Sequence, residues 1–230
     1  AIRQIVDAYE AALPQGAWPN WVLSNHDRPR IATRVGRTMA RVAQMLLLTL
    51  RGTPTCYYGD EIGMVNVPVP HERAFDPQEK LSPGFGRDPA RTPMQWNDSP
   101  HAGFSHVEPW LPVADDYRAV NVAVEREQHT SVLSLIRCLI EIRRAHPALA
   151  TGSYCSLDAG DPDVLAYLRE ADGERIAIAL NFGGEPRQVN LGTAAPNGHI
   201  LCSTLLDREG TVDLEKLDLR QGEGLVVQLA

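Results

Sequence analysis

The chain has 230 residues, a net charge of −7 and 43% hydrophobic residues, which suffices for one large domain or two smaller ones. The acidic balance argues against a nucleic-acid partner, because binding phosphate requires clustered lysine and arginine. No apolar run approaches the ~20 residues that a membrane span requires, so we expect no membrane partner.

Cysteine usage predicts a reducing compartment. The four cysteines form neither a CxxC pair nor a metal-binding spacing; they are Cys56, Cys138, Cys155 and Cys202. Three of them lie among apolar neighbours, which favours buried free thiols and a cytoplasmic location. The chain opens inside a helical pattern without a methionine, and we therefore expect that its true amino terminus is missing.

The first 60 residues alternate between helical and strand patterns. Apolar residues within 2–9 recur at helical spacing, and Pro-Gln-Gly at 14–16 ends that helix. The sequence then predicts a short strand at 21–23, a long and mostly buried helix at 32–50, and a second strand at 55–58. Strands that alternate with helices are typical of parallel βα units.

Residues 64–128 differ in composition from what precedes them. Nine of the 17 prolines lie in this segment, together with the aromatic residues Phe85, Trp96, Phe104 and Trp110. A disordered linker would lack those aromatic residues. We therefore predict a long, ordered loop with a functional role.

The last hundred residues begin with a helix and continue as strands. Thr130 and Ser131 are placed to cap an amphipathic helix that ends before Pro147. Asp172-Gly173 is a strong hairpin signal. Period-two patterns predict strands at 164–168, 175–181, 187–191, 199–205 and 224–229. These features predict a small antiparallel β domain over residues 150–230.

Asn25-His26-Asp27 closes the first predicted strand. Polar residues at the carboxyl end of a barrel strand are typical of catalytic sites. A carboxylate beside a histidine needs partners, and sugar hydroxyls could supply them. The alternative is that Asp27 caps the helix that starts near residues 28–29, with His26 packed beside it. The residues alone leave both interpretations open.

Three ordered motifs resemble the alpha-amylase family of glycoside hydrolases. WVLSNHD at 21–27, with Arg30 completing an NHDxPR pattern, is similar to the fourth conserved region of the family's α-glucosidases. The run at 52–64 resembles the segment around the family's last barrel strand. GRDPARTPMQW at 86–96 resembles the RDGxRTPMxW loop of its oligo-glucosidase branch, with Pro89 in place of the usual glycine. The resemblance covers essentially the whole chain.

This resemblance implies a fold and an activity. Residues 1–149 would be the last two βα units of a (β/α)₈ TIM barrel, with 64–128 as an excursion from the last strand. Residues 150–230 would be an antiparallel β-sandwich. The implied reaction is hydrolysis of α-glucosidic bonds in short oligosaccharides by a retaining mechanism. Asp27 would stabilise the transition state, with His26 beside it.

The resemblance also implies what surrounds these two residues. Asn25, Arg30 and Arg91 would bind a small α-glucoside, although structural ion pairs remain an open alternative for the two arginines. The nucleophile, the general acid and the family's metal sites would lie in the missing amino-terminal barrel half, so we predict no metal or cofactor here and no activity for the isolated chain. The open alternatives are a glucosyl-transferring or isomerising relative, trehalose synthase-like or sucrose-converting, and a catalytically inactive amylase-like domain.

Overall fold

The protein is described by a computed structural model that covers residues 2–230. These residues form two compact units. The β unit comprises residues 2–21, 41–55 and 135–230. The loop unit comprises residues 22–40 and 56–134.

The helix–strand alternation of the first 60 residues is observed, with one displaced strand. The elements are α1 (Ile2–Ala12), β1 (Asn20–Val22), α2 (Ile31–Thr49) and β2 (Thr53–Thr55), and β1 pairs with β2. The second strand therefore ends at the residue where the predicted strand at 55–58 begins. After β2 the chain turns at Gly59, which adopts a φ of 85° that glycine allows. A 3₁₀ turn at Asp60–Ile62 follows directly.

Helix α2 has a cap and an interruption that the sequence pattern did not indicate. The amide of Ile31, the first helical residue, donates to the buried Ser24 Oγ at 2.8 Å. Ser24, and not Asp27, therefore satisfies a free donor at the helix start. Gly36 has a φ of 79° inside the helix. A residue with a side chain would be strained in this conformation.

The segment at 64–128 is an ordered loop with short helices, and it forms a small core together with Ile62. Its helical elements are a 3₁₀ turn at His71–Arg73, α3 (Pro77–Leu81), 3₁₀ turns at Asp88–Ala90 and Pro100–Gly103, and α4 (Val122–Glu127). Backbone bonds tie distant parts together, such as Val67 N–H to Pro89 O at 3.0 Å. Ile62, Met64, Met94 and Val122 are buried against one another.

Two helices precede the β sheets: α5 (Val132–Ala145) and α6 (Pro147–Ala150). Ser131 Oγ accepts the Ser134 amide at 3.0 Å, so Ser131 caps α5 as its sequence position predicts.

Antiparallel strands fill the rest of the chain. They are β3 (Ser153–Leu157), β4 (Val164–Ala171), β5 (Glu174–Asn181), β6 (Arg187–Val189), β7 (Asn197–Ser203), β8 (Gly210–Asp213), β9 (Leu217–Leu219) and β10 (Gly224–Leu229). Six of them form a sheet in the order β3-β4-β5-β10-β7-β8, and β6 pairs with β9. Asp172 and Gly173 join β4 to β5 with φ values of 52° and 81°, which is the geometry of the predicted hairpin turn.

A buried arginine joins the sheet to neighbouring backbone within the β unit. Arg169 on β4 has no solvent-exposed surface. Its guanidinium donates to the carbonyl oxygens of Ser153 at 2.9 Å, Gly152 at 3.0 Å and Thr49. Burial lowers the pKa of Arg169 to about 10.

The expectation that the cysteines are mostly buried was wrong. All four are free thiols, but Cys56 and Cys155 are exposed and only Cys202 is fully buried. Cys155 is exposed because it lies on β3, the edge strand of the six-stranded sheet, where side chains alternate between the core and solvent. Apolar neighbours in sequence do not determine which face of a strand a residue occupies.

Among the residues that the structure describes, no helix combines the length and the apolar character needed to cross a membrane. The assignment of residues 1–149 to barrel units and of 150–230 to a β-sandwich stays a prediction.

Candidate functional site

The candidate site lies within the loop unit and starts from a tight turn after β1. Asn25 Oδ1 accepts the Asp27 amide at 2.9 Å, and Asn25 O accepts the Arg28 amide at 3.4 Å. This local hydrogen bonding is typical of asparagine at turns. It projects the Asp27 side chain outward, where it remains 49% exposed.

Three basic groups converge on the Asp27 carboxylate. Arg87 Nη1 and Arg91 Nη2 donate to the same oxygen, Oδ1, at 3.1 and 3.3 Å. His26 Nε2 lies 3.3 Å from the other oxygen, Oδ2. A carboxylate offers about four acceptor positions. The exposed face of Asp27 therefore keeps acceptor capacity for a ligand.

Arg91 contacts both the backbone of the turn and the carboxylate of Asp27. Its Nε donates to the His26 carbonyl oxygen at 2.9 Å, while Nη2 reaches Asp27. The 86–96 motif is itself held at both sides of Arg91, because Tyr57 and Tyr58 donate to the carbonyls of residues 90 and 92 at 3.2 and 2.8 Å. Burial raises the pKa of Tyr57 to about 12.

Arg87 is anchored by a second, buried carboxylate. Asp76 accepts Arg87 Nε at 2.7 Å and Nη2 at 2.8 Å, and its side chain is fully buried. The hydrogen bonds from Arg87 hold the pKa of Asp76 well below its usual range, and those to Asp76 and Asp27 raise the pKa of Arg87. Arg87 thus bridges a buried carboxylate and a half-exposed one.

Arg30 lies apart from this cluster. It is fully buried, its guanidinium stands 5.0 and 4.6 Å from the ring centres of Tyr57 and Tyr58, and it donates to the Tyr58 carbonyl. Its backbone amide donates to Asn66 Oδ1 at 2.9 Å. These contacts give Arg30 a packing role among the described residues.

An aromatic cavity of about 620 Å³ opens next to Arg91. Trp96, Phe104 and Trp110 line it and are 48%, 51% and 80% exposed. Tyr58 and Arg91 stand at its wall as well. Exposed aromatic faces of this kind suit the apolar faces of sugar rings.

The structure brings together His26, Asp27 and Arg91, three of the predicted site residues. Asn25 shapes the turn. The catalytic roles of Asp27 and His26 and substrate binding by Asn25, Arg30 and Arg91 stay predictions. Sequence reasoning missed Arg87, although its position in the 86–96 motif, four residues before Arg91, was a usable signal. Within residues 2–230 no cluster of three or more acidic, histidine or cysteine side chains is arranged to hold a metal ion.

Comparison with known proteins gives one matching family and two kinds of relative. The alpha-amylase catalytic-domain family matches residues 1–152. The amino acid transporter heavy chain SLC3A1 of Homo sapiens is 35% identical over 237 residues, covering 99% of this chain. The oligo-1,6-glucosidase of Parageobacillus thermoglucosidasius is 33% identical over 207 residues, covering 79%. The chain spans 33% and 37% of the lengths of these two proteins.

Solved structures agree with the sequence matches. The trehalulose synthase MutB from Pseudomonas mesoacidophila MX-45 superposes with a TM-score of 0.87 at 32% identity. The superposition covers 98% of this chain and 46% of that protein.

Proposed function

We propose that this chain, which belongs to the alpha-amylase family, supplies the transition-state-stabilising carboxylate of a retaining α-glucosidase. The substrates would be short α-glucosyl oligosaccharides. The observation that supports this most is the half-exposed Asp27, which two arginines and a histidine hold while one face stays open. The oligo-1,6-glucosidase relative is a protein of the matching activity.

Asp27 would act by accepting hydrogen bonds from the sugar's 2- and 3-hydroxyls. A hydrogen bond to a charged acceptor contributes about 1.5–3 kcal/mol, more than a neutral one. As the ring flattens and gains positive charge, these hydroxyls become better donors, so the bonds favour the transition state over the ground state. His26, beside Oδ2, would share the 2-hydroxyl.

The two arginines would hold the Asp27 carboxylate in place before substrate arrives. Their donors approach Oδ1 only, which leaves Oδ2 with His26 and the open face. A preorganised acceptor needs no rearrangement as the charge develops. Asn25, Arg30 and Arg91 remain the proposed substrate-binding residues, and Arg91 is the one among them that contacts the Asp27 carboxylate.

The nucleophile and the general acid would come from a part of the enzyme outside this chain. The retaining route needs two carboxyl groups about 5 Å apart, one attacking the anomeric carbon and one protonating the leaving oxygen. We assign neither role to a residue of this chain. The chain alone should therefore be inactive, since a stabilising carboxylate cannot replace a missing nucleophile.

The test is an assay of the complete protein for hydrolysis of maltose and isomaltose, together with proton NMR of the first glucose released from p-nitrophenyl α-glucoside, whose leaving group is not a sugar. Retention predicts that α-glucose appears before it equilibrates with the β-anomer. Release of β-glucose first would contradict the retaining mechanism. A protein that hydrolyses neither sugar would contradict the α-glucosidase assignment.

A glucosyl-transferring or isomerising activity is the second candidate, and the structural likeness to a trehalulose synthase favours it. The two reactions share a covalent intermediate and differ in whether water or a sugar takes the glucosyl group. Incubation with sucrose separates them: isomerised disaccharides indicate the synthase, and glucose with fructose indicates the hydrolase. No turnover of any α-glucoside would favour a catalytically inactive amylase-like domain.

We also propose a boundary between the two domains and a cellular location for the protein. We place the last two barrel units and their loop at 1–149, the antiparallel β domain at 150–230, and the protein in the cytoplasm. Limited proteolysis that yields a stable fragment starting near residue 150 would support the boundary. A protected fragment that always retains α5 would contradict it.

A further inference from the structure

We propose that Asp76 is a positioning residue for Asp27, acting through Arg87. The inference rests on the α-glucosidase function proposed above. It concerns how many hydrogen bonds Arg87 makes to Asp27, and therefore how many acceptor positions Asp27 retains for the sugar.

Asp76 is built into the start of a short helix and fully removed from solvent. As the residue before α3, it accepts the Gln78 amide at 3.0 Å through Oδ1. Its Oδ2 accepts the Arg87 amide at 2.8 Å. The two carboxylate oxygens also take the Nε and Nη2 donors of Arg87, at 2.7 and 2.8 Å. Asp76 therefore binds Arg87 through both its backbone and its guanidinium.

This two-point pairing determines which donors of Arg87 remain for Asp27. The guanidinium has a rigid fork geometry with five N–H donors. Asp76 occupies the edge formed by Nε and Nη2. Only Nη1 reaches Asp27, with a single bond of 3.1 Å to Oδ1. Asp27 is thus held at one oxygen and is not engaged by a two-point pair.

Asp88 fixes the position of Asp76 independently of the site. Its Oδ2 accepts the backbone amides of Phe75 and Asp76, at 2.7 and 2.8 Å. The carboxylates of Asp76 and Asp88 thus link residues 75–76 to residues 87–88. The Asp76 carboxylate is thereby oriented toward Arg87 by contacts that do not involve Asp27.

Loss of the Asp76 charge should release the Nε and Nη2 edge of Arg87. An asparagine at this position keeps the shape and one acceptor, but its amide group would present donors to the donors of Arg87. The freed guanidinium edge can then form a two-point pair with the nearest remaining carboxylate, Asp27. That pair would occupy acceptor positions that sugar hydroxyls need in the transition state.

The test uses the complete protein and a chromogenic α-glucoside. Asp76→Asn should lower kcat by about 10- to 100-fold, the scale of a misplaced catalytic group, and change KM by less than about threefold. The double variant with Arg87→Ala should be no slower than Arg87→Ala alone, because Asp76 acts only through Arg87. Glu79→Gln is the matched control: Glu79 accepts the amides of Gly84 and Gly86 in the same loop, at 3.0 and 2.9 Å, and should keep parental kcat/KM.

The outcomes separate this inference from the function on which it rests. A parent protein without glucosidase activity would refute the proposed function and this inference together. An active parent with unchanged kcat in Asp76→Asn would refute the inference alone. Equal losses in Glu79→Gln, or additive losses in the double variant, would also refute it, because they would show a general loop defect.

Discussion

Replacing Ser24 by alanine separates the helix cap from the chemistry. In the structure the Ser24 hydroxyl accepts the Ile31 amide at 2.8 Å, and Ser24 is 2% exposed, so water cannot replace the lost acceptor. Loss of a helix-capping acceptor costs about 0.5–2 kcal/mol, and an unsatisfied buried donor about 1–3 kcal/mol. These ranges overlap at about 1–2 kcal/mol, which is the expected loss of local stability in Ser24→Ala.

Hydrogen exchange of backbone amides, measured by mass spectrometry, reports this loss of stability at the start of α2. A change of one or two kcal/mol corresponds to a factor of about 5–30 in an equilibrium constant. Amides in the first turn of α2 should therefore exchange about 5 to 30 times faster in Ser24→Ala than in the parent. Exchange in the antiparallel sheet should stay at the parental rate.

Asp27→Ala is the comparison that decides between cap and catalytic group. Asp27 is half-exposed and its ion pairs face solvent, so its removal should change exchange at the start of α2 by less than about twofold. If Asp27→Ala accelerated this exchange as much as Ser24→Ala, or if Ser24→Ala had no effect, the assignment of the cap to Ser24 would be wrong.

Three further predictions concern single residues. Arg91→Lys loses the forked contact with the turn and should lower kcat/KM about tenfold, while Arg73→Lys, a matched change in an exposed ion pair, should not; equal effects would contradict this. Arg169→Met removes three hydrogen bonds of a buried guanidinium and should lower the free energy of unfolding by at least ~3 kcal/mol in urea denaturation. A loss below ~1 kcal/mol would contradict the role assigned to Arg169. Burial raises the pKa of Tyr57 to about 12, above the ordinary value of ~10. The neutral phenol therefore contributes its full stabilisation of the folded state below pH ~10, and this contribution is lost as the pH rises toward 12. The absorbance difference between the parent and Tyr57→Phe should therefore show a phenolate that forms near pH 12, and formation near pH 10 would contradict this.

Local signals made part of the fold predictable. Asp172-Gly173 adopts the two positive φ values that its turn type demands, and Ser131 caps α5, because both effects act within four residues of the chain. The displaced β2 and the unpredicted strands β3, β8 and β9 show the limit of local signals. Short strands at sheet edges take their bounds from pairing partners, which a local pattern does not contain.

The candidate site divides in the same way. The motif resemblance indicated Asp27 and Arg91, which are 64 residues apart in sequence. In the structure Arg91 Nη2 lies 3.3 Å from Asp27 Oδ1. It did not indicate Asp76, because no local pattern shows that this residue accepts the guanidinium of Arg87. It also left the helix cap ambiguous, since Ser24 reaches Ile31 only through the folded turn. Contacts between side chains that are distant in sequence required the structure.

The kcat of Asp27→Asn in the complete protein tests whether Asp27 stabilises the transition state of glucosyl transfer. We expect kcat to fall by a factor on the order of 10²–10³, with KM for an α-glucoside changed far less, by analogy with removal of a single oxyanion donor. Asp98→Asn, at an exposed aspartate of the same unit, should keep the parental rate. An Asp27→Asn protein that turns over α-glucosides as fast as its parent would show that Asp27 does not stabilise the transition state.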